Sequence, residues 1–157
     1  MLKNYLIVFL LSMVPLLELR FAVPIAVGME LPPLLSIAVC ALGNMIPVPF
    51  IYFFARKILL WGMDKPVIGK SFRFLHDKGE RAGQKLRRKA GRRGLFLALL
   101  LFVGIPIPGT GAWTGTLAAS FLDMGIKSTA LAVSLGVAMA GIIMALASSG
   151  VFHLFGI

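Results

Sequence analysis

Charge is what this sequence lacks most. Of its 157 residues only 14% are charged while 59% are apolar, and the mean hydropathy is +0.93. Soluble domains carry about 25% charged residues, so the chain cannot coat itself with polar groups, and it reads as a membrane protein. Disordered, collagen-like and disulfide-rich classes are excluded on the same composition. A single cysteine, Cys40, rules out an intrachain disulfide. Histidine is equally scarce: His76 and His153 stand alone, and no Cys/His/Asp group has metal-ligand spacing. There is no serine-nucleophile motif and no nucleotide-binding glycine loop. The run from Gly104 to Gly111 resembles one superficially, but no lysine follows and its prolines remove amide donors. Hence neither enzymatic chemistry, nor a metal, nor a cofactor is expected.

Acidic residues are also few, 6 against 16 basic, for a net charge of +10. Residues 56–93 hold 13 Lys/Arg and 3 Asp/Glu, which accounts for the whole excess. Around this basic segment lie four apolar stretches, 4–29, 34–55, 94–122 and 128–152. A helix rises about 1.5 Å per residue and the hydrocarbon core is about 30 Å thick, so a span needs about 20 residues. Stretches 34–55 and 128–152 meet that length and are expected to be full spans, the first kinked near Pro47 and Pro49. In 94–122 the segment Pro106-Ile107-Pro108-Gly109-Thr110-Gly111 breaks the helix into arms too short to cross. In 4–29, Pro15 and Pro24 flank Glu18 and Arg20, charges that cost about 2.5–3.5 kcal/mol each at a bilayer centre unless paired or facing a cavity. Both broken stretches therefore read as re-entrant hairpins of half-helices. A signal peptide at 5–28 is the plainer reading of the start, and Glu18 and Arg20 fit it poorly.

The positive-inside rule makes 56–93 cytoplasmic. The orientation then alternates, so hairpin 4–29 enters from outside and hairpin 94–122 from inside. The resulting expectation is an all-α integral membrane protein of two inverted-topology repeats, each a re-entrant hairpin plus a transmembrane helix. It forms one domain over 1–157: repeat one 1–55, basic amphipathic linker 56–93, repeat two 94–157. Val39-Cys40-Ala41-Leu42-Gly43 faintly echoes Ala132-Val133-Ser134-Leu135-Gly136. Inverted repeats with discontinuous helices place a site at the midplane. The competing topology is four plain spans with both termini inside.

Within the linker, Phe72, Leu75, Gly79, Ala82, Leu86 and Ala90 recur at helical spacing among basic residues, which predicts a helix over 70–90 lying on the inner leaflet. Topology determination is the plainer role, and attraction to anionic headgroups the functional one. Nucleic acid is not an expected partner, because no stacking aromatics interleave the run.

Glu18 and Arg20 head the candidate site, with Pro24 beside them and Trp113 as a cavity wall. Glu18 is a candidate proton carrier and Arg20 a candidate phosphate clamp; the alternative is a structural ion pair that locks the hairpin. At the second tip, Pro108, Gly109, Thr110, Gly111 and Thr114 offer amides and hydroxyls leading into a helix N-terminus, an anion-binding arrangement. The alternative there is close packing through Gly111, Gly115 and Ala119. Glu30 and Asp123 follow the two hairpins at equivalent places and read as interface caps, while Asn44 is a polar residue within a span, bonding a neighbouring helix.

Leu17-Glu18-Leu19-Arg20-Phe21-Ala22-Val23-Pro24 and Ile105-Pro106-Ile107-Pro108-Gly109-Thr110-Gly111-Ala112-Trp113-Thr114-Gly115 resemble the two signature segments of the bacterial and archaeal small multidrug export protein family. That family resembles a compact relative of the DedA/VTT (SNARE-associated) superfamily, which has two opposed re-entrant hairpins. The resemblance implies transport of a lipid phosphate, such as undecaprenyl phosphate, or a related amphiphile, with coupling to protons, and it matches Glu18 to the acidic residue of the first hairpin. The second hairpin departs from the superfamily: it carries Gly, Thr and Trp where arginines are found, leaving Arg20 as the only intramembrane cation. Proton-coupled export of cationic amphiphiles is the alternative, and a non-transporting scaffold the third reading. The expected location is the cell membrane, and a homodimer is expected because so small a chain has few helices to enclose a path.

Overall fold

The computed structural model describes residues 2–15, 17–66, 69–107 and 109–154. They form seven helices: α1 (Leu2–Met13), α2 (Glu18–Gly28), α3 (Pro33–Met45), α4 (Pro47–Met63), α5 (Gly69–Gly104), α6 (Ala112–Phe121) and α7 (Ile126–Leu154). No strand occurs among the described residues.

The first stretch breaks where proline dictates. α1 stops short of Pro15, because the residue before a proline is pushed out of the helical region. α2 starts at Glu18, which takes a left-handed φ of 49° to turn the chain back. Pro24 lies inside α2 rather than ending it. Its missing amide frees the Arg20 carbonyl, and α2 survives that loss because Leu19, Ala22, Val23 and Ala26 are all buried against neighbours. The second stretch behaves similarly. α5 ends at Gly104, residues 105–107 and 109–111 are non-helical, and α6 begins at Ala112.

The expected span 34–55 runs further than its apolar composition suggested. Pro33 starts α3 at the first helical position. Ile46 keeps helical angles (φ −59°, ψ −45°) at the join, and α4 continues through Arg56 and Lys57 to Met63. Lysine and arginine are good helix formers, so the change of composition at 56 marks no boundary of backbone structure. Lys65 then folds back over the Trp61 ring, its Nζ 4.4 Å from the centroid. The basic segment is helical as expected, from Gly69, and Gly91 (φ 66°, ψ −171°) separates it from the apolar arm 92–104. The side chains of the stripe Phe72, Leu75, Gly79, Ala82, Leu86 and Ala90 lie outside the described residues.

Two segments are long and apolar enough to cross a membrane, Pro33–Met63 and Ile126–Gly150, with hydropathies of 2.0 and 2.3. Only 33% and 39% of their apolar stretches is buried, whereas the core helix of a soluble protein is mostly buried. Large apolar side chains such as Leu34, Leu42, Phe50, Phe54, Leu131 and Leu146 face outward, while much of the core is small: Ala22, Ala26, Ala112, Ala119, Ala132 and Ala140. That inversion is how helices pack when lipid is the solvent. Gly43 lies against Phe9 and Ser12 of α1, and Gly136 against Leu100 and Val103 of α5, each too close for a Cβ.

α2 and α6 end alike. The Glu30 and Leu31 amides bond Val27 and Ala26 carbonyls at 2.9 and 3.0 Å; those of Asp123 and Met124 bond Ser120 and Ala119 at 3.3 and 3.0 Å. Glu30 and Asp123 take left-handed φ values of 58° and 53°, and Leu31 and Met124 beyond them are buried. Both turns are Schellman motifs with an acidic residue where glycine is usual. Glu30 and Asp123 thus terminate helices, a backbone role that the interface-cap reading did not contain. α6 is also fastened sideways, the Tyr52 hydroxyl donating to the Met124 carbonyl and Ser120 Oγ to the Tyr52 carbonyl at 3.1 Å.

Candidate functional site

A helix leaves its first amides and last carbonyls without intrahelical partners. The gap between α5 and α6 exposes both kinds at once. Buried away from water, such groups are costly unless something bonds them. Two side chains of α2 do so.

Glu18, only 6% exposed, accepts from the amides of Ala112 and Trp113, its two oxygens at 3.1 Å each. It is a carboxylate cap supplied by α2, placed where the positive end of the α6 dipole favours an anion. Two residues on, Arg20 takes the other side of the gap. Its guanidinium donates to the carbonyls of Ile107, Ile105 (3.3 Å) and Val103 (3.4 Å), and to Thr110 Oγ1 at 2.7 Å. Thr110 Oγ1 in turn lies 3.0 and 2.9 Å from the Ile105 and Ile107 carbonyls, its acceptors. A cation at a helix C-terminus and an anion at a helix N-terminus both match the dipoles they face. Positions i and i+2 point apart on a helix, which is why the two charges reach opposite sides of the break.

Two glycines make the geometry possible for different reasons. Gly111 is extended (φ 163°), so its requirement is space: a Cβ there would overlap the Glu18 carboxylate. Gly109 has open space around it, and a φ of 84° that only glycine adopts freely.

Beside this junction lies a cavity of about 780 Å³, within the range of sites for drug-sized molecules. Glu18, Arg20, Pro24, Gly109, Thr110, Trp113 and Thr114 all line it. The Trp113 indole Nε1 is buried with no partner among the described residues. Thr114 Oγ1 sits 3.5 Å from the Gly111 carbonyl. Gly111 is buried behind Glu18, so the amides beyond it already hold an anion, the chain's own carboxylate. Gly115 packs against Val103 and Leu99, so the small-residue face of α6 also closes the hairpin. Pro108 lies outside the described residues, as does the side chain of His153. Glu30 and Asp123 are exposed at their helix ends, away from the cavity lining. Asn44 lies deeper, 2% exposed, beside a second and much smaller pocket.

Phe21, Leu117 and Met144 also line the cavity and were not among the sequence candidates. Helical phase was a usable signal for two of them: Phe21 precedes Pro24 by three positions, and Leu117 follows Trp113 by four. Met144 comes from α7, and no local pattern connects it to this site.

Among the described residues no group of three or more His, Cys, Asp or Glu could hold a metal ion. Neither a curated protein nor a solved structure matches the chain. A family model does, over residues 18–143, a range that runs from the carboxylate cap to the middle of α7: the chain belongs to the family described as "Putative small multi-drug export protein".

Proposed function

We propose that this chain is a non-enzymatic membrane transporter that exports small amphiphilic molecules through the cavity between α2 and the α5–α6 break, with Glu18 as the proton-coupling group. The cavity carries the reading. Phe21, Leu117 and Met144 offer apolar surface, Trp113 a ring face, and Glu18 a carboxylate, a set suited to a cationic amphiphile. The family's name is consistent with it. In this reading α1–α2 and α5–α6 are re-entrant hairpins of two inverted repeats. Helices of 12, 11 and 10 residues in α1, α2 and α6 reach about 15–18 Å, half a bilayer. Glu30 and Asp123, Leu31 and Met124, and Gly43 and Gly136 are each 93 positions apart and do the same work in each half, which supports duplication. The chain sits in the cell membrane with the basic segment inside, attracted to anionic headgroups, and a second copy completes the wall of the path.

Proteoliposomes carrying tetraphenylphosphonium test it. A Trp61→Phe background leaves Trp113 as the sole indole, and its fluorescence should be quenched on binding. A pH gradient should drive accumulation that Glu18→Gln abolishes. No quenching, together with no uptake above empty liposomes, rejects the proposal.

A second reading, lipid-phosphate translocation of the DedA type, is favoured by one observation: Arg20 lines the cavity. Its guanidinium would have to release the Ile105 and Ile107 carbonyls to bind phosphate. Bleaching of a labelled lipid phosphate in the same liposomes separates the two.

A further inference from the structure

Glu18 and Arg20 line two spaces. One is the large cavity; the other is an inner pocket of about 10 Å³ bounded by Glu18, Leu19, Arg20, Asn44, Val103, Ala112, Val137 and Ala140. The pair is therefore a partition between them. Asn44 is 2% exposed, and its Oδ1 is buried with no partner among the described residues. A buried amide oxygen left so is costly, and a neighbouring helix does not supply the donor that was expected for it. The pocket is at the lower limit for one water, and a buried water needs two to four polar partners. Asn44, Glu18 and Arg20 are the three polar residues of its lining.

We infer that the inner pocket binds a single water, which donates one O–H to Asn44 Oδ1 and the other to the Glu18 carboxylate, and that Asn44 is thereby a positioning residue for Glu18. Two acceptors facing one small space are matched by a ligand with two donors and no net charge. A metal cation is disfavoured there by the adjacent guanidinium. The pocket also has a place in the duplication. Leu19 and Ala112 are 93 positions apart, and so are Asn44 and Val137, so both halves contribute equivalent positions to it. The polar residue is present in one half only. The other elements bring no titratable group: α5 contributes Val103, α6 Ala112, α7 Val137 and Ala140, leaving Arg20 as the only other charge. Glu18 is then held from two sides, by the α6 amides and by the water, and can be reached from the side away from the substrate.

The coupling role rests on the transport reading above; the water site does not. A high-resolution structure of the intact chain in lipid tests the site directly. Density for one water within hydrogen-bond distance of Asn44 Oδ1 and Glu18 supports it; a pocket closed by side chains, or Asn44 bonded directly to another protein group, overturns it. Transport tests the role. Asn44→Leu should cut gradient-driven tetraphenylphosphonium uptake at least 10-fold while its Kd, read at Trp113, changes less than twofold. Asn44→Thr, which restores a polar atom, should recover at least a third of the rate. Equal uptake by Asn44→Leu, or a Kd loss that matches the rate loss, overturns the positioning role. Absence of uptake by the unmodified chain rejects the transport reading and with it this role, while the density still decides the water site.

Discussion

The two hairpin tips do opposite jobs. The first, at residues 14–20, contributes side chains: one carboxylate and one guanidinium. The second, at 105–107 and 109–112, contributes mainly backbone: carbonyls and amides, with the Thr110 hydroxyl beside them and Gly111 where a side chain would obstruct. A broken helix in a water-poor interior has unsatisfied groups of both signs, and here one hairpin supplies what the other lacks. The lesson is that an uncharged tip rich in Gly and Pro need not be a ligand site on its own. It can be half of a joint whose charges come from distant sequence.

The comparison breaks most severely at Arg20. Replacement by Ala removes the guanidinium from the Val103, Ile105 and Ile107 carbonyls and from Thr110 Oγ1, and leaves Glu18 without a compensating charge, a loss of about 3–5 kcal/mol. Thermal unfolding in mild detergent, with the yield of monodisperse protein, measures it. Arg20→Lys should fall between Ala and wild type, because a lysine keeps the charge but loses the planar fork; a Lys variant as stable as wild type would show that the fork geometry is irrelevant. Next comes Glu18→Ala, which strips the acceptor from two buried amides at about 1–3 kcal/mol each. Glu18→Gln keeps one acceptor oxygen and should lose about half as much. Equal losses for Ala and Gln would argue against the capping role.

The two glycines sharpen the contrast at intermediate size. Gly111→Ala drives a methyl into the Glu18 carboxylate, costing about 1–3 kcal/mol, and it should also weaken ligand quenching at Trp113. Gly109→Ala costs about 1–2 kcal/mol through its left-handed backbone and should leave quenching unchanged. If both variants lowered quenching alike, the distinction between space and conformation would be wrong. The smallest effect is a gain. Glu30→Gly relieves a left-handed residue at a Schellman turn, worth roughly 0.5–1 kcal/mol in stability. A lower melting temperature would mean that the Glu30 side chain contributes something its turn geometry does not explain.

Much of this was legible in advance. The break at Pro106–Gly111, the uninterrupted α7 and the helical basic segment follow from proline, glycine and apolar spacing, because those signals act within a few residues. Glu18 and Arg20 stood out because charges are rare in apolar runs. Their partners did not. Nothing local connects Arg20 to Ile105, Ile107 and Thr110, or Glu18 to the Ala112 amide, since those contacts span some 85–95 positions. The end of α4 at Met63 was missed because a change in composition is not a change in helix propensity.

Sequence alone determined that this chain seeks an apolar solvent, that two of its apolar stretches break at proline and glycine, and which few residues are too polar to sit there idly. Those are local consequences of transfer free energy and backbone sterics. Only the tertiary structure decided what the polar residues do: that Glu18 meets a helix N-terminus, that Arg20 meets a C-terminus, and that a cavity opens beside them. Hydrogen bonds between hairpins depend on the crossing of helices, and the crossing is set by how small residues across the whole core let backbones approach.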